Sequence, residues 1–281
     1  MKFFKNTRSQ LTTFILMGFV FGMLGCSGGG GGTPPPPADA KPTGYYDKTG
    51  TVTLDDDGAG GGNTPITDLQ AMINGNRFMM ISDAQGLFYD GTITSITVND
   101  FAANVSVFKH GEPITNPSAT IAGTITEKSK IEGTITGTGA GNSNGLFTLQ
   151  YAQNNNQAAD LTRIERSGAG GAWDSEIGGA GIDLTLLEIN AAGNIVPSGS
   201  AVDGFFADCV ISSGSFTPIS GTSLYNVTMS MTNCTTNGGV ANLTYVGLAA
   251  SWTNTVADDR LVIGATDGNS TYSVNGDFQA Q

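Results

Sequence analysis

The chain has 281 residues, with 12 Lys and Arg against 24 Asp and Glu, a single His and a formal charge of −12. So acidic a surface repels phosphate backbones, which argues against nucleic-acid binding. Glycine reaches 41 residues and charged residues only 13%, a composition that suits many strands and tight turns. Glu and Lys spaced four apart, the usual support of exposed helices, are nearly absent.

At the N-terminus, Lys2, Lys5 and Arg8 precede an apolar run over residues 11–24, interrupted by Thr12, Thr13, Gly18 and Gly22. Crossing a bilayer takes about 20 apolar residues, so this shorter run behind a basic start reads as a signal h-region. Gly25 and Cys26 close it, followed by Ser27 and glycines 28–32. Met23-Leu24-Gly25-Cys26 resembles the lipobox of bacterial lipoprotein signal peptides, with Met23 where Leu is usual. The resemblance implies removal of residues 1–25 and lipidation of Cys26, for instance with palmitate. Each buried methylene contributes about 0.8 kcal/mol, so several acyl chains anchor a protein to a membrane without spanning it. Ser27 rather than Asp after the cysteine implies, by the same resemblance, the outer membrane; which face is left open. The mature chain would carry nine basic against 24 acidic residues, a formal −15.

Residues 26–43 read as the lipidated cysteine and a tether, with flexible glycines and then Pro34–Pro37 favouring an extended backbone. No GxxxxGK[ST] phosphate-binding pattern accompanies the glycines. Beyond residue 43 the chain looks duplicated. Gly44-Tyr45-Tyr46-Asp47 recurs as Gly171-Ala172-Trp173-Asp174, and Asp68-Leu69 as Asp183-Leu184. Gly86-Leu87-Phe88-Tyr89-Asp90 recurs as Gly204-Phe205-Phe206-Ala207-Asp208, and Asn104-Val105-Ser106-Val107 as Asn226-Val227-Thr228-Met229. The order is kept, which predicts β-domains at 44–166 and 171–281 with a glycine-rich junction at 166–171.

Strand signals lie within both halves. Tyr225, Val227, Met229 and Met231 alternate with polar residues, as do Phe147, Leu149 and Tyr151. Asn74-Gly75 between two apolar runs predicts a hairpin turn. Residues 131–135 and 261–263 are further strands. The expected fold is all-β: two tandem antiparallel β-barrel or β-sandwich domains of about eight strands each, with a single merged sandwich as the alternative. The halves faintly resemble the small barrel domains of bacterial surface lipoproteins. Tyr45, Tyr46 and Trp173 are expected to begin strands and plug barrel ends rather than stack on sugars.

Chemistry is sparse. With Cys26 taken by lipid, Cys209 and Cys234 remain, and an exported chain predicts one disulfide between them. His110, the one histidine, sits among turn residues, and no GxSxG or SxxK motif accompanies it. Carboxylates such as Asp174 with Glu176, or Asp258 with Asp259, could in principle serve glycan hydrolysis. Asp55, Asp56 and Asp57 before Gly58 form the best metal candidate, with oxygen ligands suited to Ca²⁺. They lack EF-hand spacing, and a solvated acidic hairpin loop accounts for them. Neither metal nor cofactor is expected. The composite expectation is a non-enzymatic, outer-membrane-anchored lipoprotein that binds a protein, glycan or small ligand at the cell surface. The alternatives are a periplasm-facing structural or assembly role, and a carboxylate-based hydrolase.

Replacing Cys26 with Ser is expected to release the chain from firm, detergent-dependent membrane association, read by fractionation of cell envelopes. Undiminished association would contradict lipidation at this position.

Overall fold

Alternation along the chain becomes alternation in space. In a strand, successive side chains point to opposite faces, so a period-two apolar pattern buries one face. The computed structural model describes residues 35–55, 63–82, 86–109, 118–138, 143–167, 171–177, 182–204, 209–236, 239–253, 259–267 and 273–280. The predicted signal segment, Cys26, most of the tether, Asp56, Asp57, His110 and Asp258 lie outside the described residues.

The protein is all-β. Strands β1 (Gly44–Asp55), β2 (Asn63–Asn74), β3 (Arg77–Ser82), β4 (Leu87–Thr97), β5 (Asp100–Lys109), β6 (Ser118–Thr126), β7 (Lys130–Thr138) and β8 (Ser143–Tyr151) pair in sequence order. β8 returns to β1 through pairs such as Tyr46↔Tyr151 and Thr53↔Asn144, closing a barrel. Closure leaves no unpaired sheet edge. Tyr46, Phe78, Tyr89, Phe101, Ile121, Ile131, Phe147 and Leu149 fill the interior. An eight-stranded barrel is just wide enough for its side chains to do this. Each such side chain contributes about 1.5–3 kcal/mol when fully buried. Thr120, Thr124 and Asn104 face outward and are exposed, so the outer wall over β5 and β6 is polar. Lipid-facing barrels carry the opposite pattern.

The hairpin predicted at Asn74-Gly75 is present, shifted by one residue. Asn74 pairs with Arg77, so the loop is Gly75-Asn76, with Gly75 at φ +57°. Pro65 lies in β2 opposite Thr53.

The rest of the chain forms an eight-stranded sheet from β9 (Trp173–Ile177), β10 (Ile182–Leu187), β11 (Ala201–Gly204), β12 (Val210–Pro218), β13 (Leu224–Thr236), β14 (Gly239–Thr253), β15 (Asp259–Thr266) and β16 (Ser273–Ala280). Its order is β11-β10-β9-β16-β15-β14-β13-β12, so first and last strands of this run again pair. The chain after β10 links the far side of the sheet. Ile189 bridges Ile195, and Asn194 bridges Ser215 of β12. The Ile195 N–H donates to Gly214 O at 3.0 Å, and the Phe216 N–H to Gly193 O at 2.8 Å. Gly193 has φ +78°, and a Cβ there would lie 2.6 Å from Phe216 O, so only glycine fits this close approach. Trp173, Tyr225, Val227, Met229, Met231, Tyr245 and Phe278 pack inside.

Three of the four matched sequence motifs fall on matched strands. Gly44-Tyr45-Tyr46-Asp47 and Gly171-Ala172-Trp173-Asp174 open β1 and β9, the Asp-Leu pairs lie in β2 and β10, and the Asn-Val pairs lie in β5 and β13. These are the first, second and fifth strands of each run of eight. The partner of Gly86–Asp90 falls mainly in residues 205–208, outside the described residues.

A helix that the sequence reading did not anticipate, α1 (Leu161–Ile164), precedes β9. Asp160 caps it, accepting from the Thr162 backbone N–H at 2.9 Å, and that bond lowers the Asp160 pKa. Ile164 lies in the second core with Leu161 packed against it, and the Trp173 indole N–H donates to Ile164 O at 2.9 Å. Residues 159–166 therefore pack on the second sheet, ahead of the expected 166–171 junction.

Pro37–Gln281 forms one compact unit. Tyr45, Met72, Met79, Ile81 and Phe88 on the barrel's outer wall share an apolar cluster with Leu224, Leu248, Ala250 and Val262. Tyr45 stacks on Trp252 with ring centroids 4.8 Å apart. Tyr46 and Trp173 are interior as expected, but Tyr45 is no barrel plug: neighbours in a strand face opposite ways, and Tyr45 serves this seam. Its backbone is held by Asn156, whose Oδ1 accepts from the Tyr45 N–H at 2.8 Å and from Ser223 Oγ at 2.7 Å.

At the seam, a Cβ on Gly264 would come 2.7 Å from Phe88 Cε2, and Phe88 is fully buried. The Gly264→Val variant is expected to lose about 1–3 kcal/mol by overpacking. Thermal unfolding of variant and parent measures this; an unchanged midpoint would show that Phe88 has room to move.

Candidate functional site

Inward alternation in β3 and β4 sends Phe78 and Tyr89 to the core, leaving Arg77 and Asp90 on the outer wall. They are diagonal neighbours: Arg77 is opposite Thr92, and Asp90 is opposite Met79. Arg77 Nε donates to Asp90 Oδ1 at 3.3 Å and Nη2 to Oδ2 at 3.2 Å, a bidentate pair. Both side chains are partly shielded from solvent. The second sheet completes the arrangement. Arg77 Nη2 also donates to Val246 O at 2.8 Å, and Thr266 Oγ1 donates to Asp90 Oδ2 at 2.7 Å.

This network walls an open cleft of about 590 Å³, lined mainly by β3–β6 of the barrel and by Val246 and Thr266 of β14 and β15. Gly91 lies on its floor, where a Cβ would overlap Asn104 O of the neighbouring strand. Asn76, Thr92 and Asn104 are exposed there, beside the half-buried Ser106. Val246, 48% exposed, supplies apolar surface. Such a cleft offers amide and hydroxyl hydrogen bonds on a strand-built, pre-formed surface, with the Arg77 guanidinium already neutralised by a carboxylate.

No protein-family model, curated protein or solved structure matches this chain. Its own residues therefore carry the functional argument.

Cys209 and Cys234 form a disulfide, with Cα atoms 4.2 Å apart. Geometry explains how Cys234 reaches its partner. Tyr225, Val227, Met229 and Met231 point inward at odd positions, and an even-numbered residue would normally point out. A register shift between Met231 and Cys234, with Asn233 at φ +60°, turns Cys234 into the core. Of the acidic candidates, Asp55 ends β1 opposite Asn63, while Asp56 and Asp57 lie outside the described residues. Asp174 is exposed, whereas Asp259 pairs with Arg166, whose guanidinium lies 4.7 Å from the Trp173 ring centroid. Among the described residues, no three His, Cys, Asp or Glu side chains gather as a metal site.

Buried phenols form a further polar layer. The Tyr46 hydroxyl donates to Pro42 O at 2.8 Å, and burial raises its pKa. Tyr225 donates to Asp160 O at 2.8 Å and is also raised by burial. These phenols tie the chain entering the barrel and the capped start of α1 to their cores, so their role is structural.

The Arg77–Asp90 cleft was not singled out in the sequence. Its outward polar positions follow from strand alternation, but its second wall comes from residues about 170 positions away, as the Arg77–Val246 separation of 169 shows. Substituting Thr266 with Val keeps the shape and removes one donor to Asp90. The expected cost is about 1 kcal/mol in urea unfolding. No change would mean that water replaces the hydroxyl fully.

Proposed function

We propose that this chain is a lipid-anchored protein of the bacterial outer membrane, with a non-enzymatic binding module exposed at the cell surface. The observation that carries the binding role is the open cleft beside Arg77 and Asp90, formed on rigid strands and spanning two β-sheets. Pre-formed concave sites lose little freedom on binding. The anchor reading rests on Lys2, Lys5, Arg8, the apolar run and Met23-Leu24-Gly25-Cys26. Cys26 would hold the lipid, and the glycine- and proline-rich stretch after it would stand the β-body off the bilayer.

The body itself reads as two tandem, related barrels. Motifs on the first, second and fifth strands of each run support duplication, as does the pairing of first with last strand in both. Duplication of a closed β-unit supplies a second wall without a second specialised fold. The acidic charge suits a surface that stays soluble beside a membrane. The partners in this reading are the membrane, through the lipid, and an external ligand.

Protease shaving of intact cells against gently permeabilised cells, with an antibody to the C-terminal half, tests the exposure. Digestion in intact cells, with a periplasmic control protein preserved, is the expected result. Protection until permeabilisation would instead favour a periplasm-facing role.

A further inference from the structure

We infer that the Arg77–Asp90 cleft is a site for a neutral oligosaccharide, an inference that rests on the binding-module reading and gives it a ligand class. Charge decides against the first alternative. The chain has a formal −12, and the cleft's guanidinium is occupied by Asp90 in a bidentate pair. An anionic ligand would meet an acidic body without an unpaired cation among the described lining residues.

Polarity decides against the second. A lipid tail or an apolar peptide anchor needs a continuous apolar trough, whereas Val246 is the exposed apolar side chain of the lining. What the cleft presents is a row of neutral hydrogen-bonding groups at outward strand positions. Thr92 and Asn104 are cross-strand partners, and Ser106 lies two residues further along the same face of β5. Vicinal sugar hydroxyls each donate and accept, and they match amides and hydroxyls set at strand spacing. Asp90 and Arg77 add an acceptor and a donor side by side at one wall. The Val246 methyls offer the apolar patch that a sugar ring's C–H face can cover. The cleft is open rather than enclosed, so it suits an internal stretch of a chain as well as an end.

The site holds its hydrogen-bond acceptors in place. Asp90 is engaged by both Arg77 and Thr266, which fixes its oxygens as hydrogen-bond acceptors. Its geometry also depends on both sheets, since Val246 and Thr266 come from the second.

The test is titration of the purified full chain in detergent with a panel of neutral oligosaccharides: α- and β-linked glucans, mannans and galactans, each to 10 mM. Isothermal calorimetry reads the affinity. The expected result is saturable binding of at least one member, weakened tenfold or more by Asn104→Ala and by Thr92→Ala. Both substitutions shorten exposed outer-wall side chains, and matched circular dichroism and melting curves would show the fold intact. Binding that both variants leave unchanged would overturn the site while keeping the binding-module reading. Absence of binding across the panel would overturn the ligand class. A peptide library captured by the parent chain and lost in the same variants would overturn it too, again leaving a binding module. Failure of the surface-exposed reading would appear separately, as protection of the chain in the cell-shaving experiment.

Discussion

Everything outside the two cores depends on the apolar seam where the barrel's outer wall meets the second sheet. Tyr45, Met72, Met79, Ile81 and Phe88 are outward residues of a closed barrel, positions that water would normally occupy. They are buried because Leu224, Leu248, Ala250 and Val262 cover them. Close approach requires the absence of a side chain at Gly264, directly against Phe88. The Tyr45–Trp252 stack adds oriented aromatic contact, about 0.5–1.5 kcal/mol beyond burial alone. Asn156 then fixes the chain that leaves the barrel by bonding both backbone groups of Tyr45. The connecting segment is stitched at further points, with the Ala159 N–H on Thr222 O and the Asp160 N–H on the Tyr225 hydroxyl. Such a connection resists hinge motion, because bending it would break several buried or half-buried hydrogen bonds together.

The two sheets meet the edge problem by different routes. The barrel pairs β1 with β8 directly. The second sheet leaves β11 and β12 at its ends and recruits residues 193–195 to carry hydrogen bonds across. That route needs tight backbone approach, which accounts for glycine at 193, and for glycine at 214 against the Ile195 side chain. The disulfide then ties the start of β12 to the far end of β13, which are paired strands at the sheet's edge. Closing a loop of this size restricts the unfolded chain by about 3 kcal/mol in the chain-entropy account.

Much of this was legible in the residues. The alternation at Tyr225–Met231 and at Phe147–Leu149 specified strands and their inward faces, and each of those side chains is buried as the period demands. The cysteine pair followed from its being the remaining two of three. What alternation cannot supply is the identity of whatever covers an outward face. Tyr45 and Tyr46 are adjacent, so one had to point away from the barrel core, but nothing local says that its face is buried. The Gly75-Asn76 loop differed by one residue from the Asn74-Gly75 reading because Asn74 keeps its ladder pairing to Arg77. Helix α1 escaped notice because four residues are too few for a helical period to register, and its capping Asp160 looks like any loop aspartate. The cleft escaped for the same reason as the seam: its walls are remote in sequence.

The seam and the cleft are consequences of one geometry. Two curved β-surfaces can touch closely only along part of their facing walls, and they diverge beyond it. Where Phe88 meets Gly264 the surfaces are in contact, and apolar residues fill the join. At the next outward position of β4 the residue is Asp90, and that of β15 beyond Gly264 is Thr266, and these still meet through a hydrogen bond. Further along β4, at Thr92, the side chain is exposed, while Arg77 opposite it still reaches Val246 O of the second sheet. The gradient from apolar contact through a paired ion to exposed hydroxyls and amides thus runs along β4 away from the Phe88–Gly264 contact. A cleft made in this way inherits its rigidity from the buried contact beside it. Its shape is set mainly by the packing of strands from both sheets, with Asn76 of the β2–β3 turn at its rim.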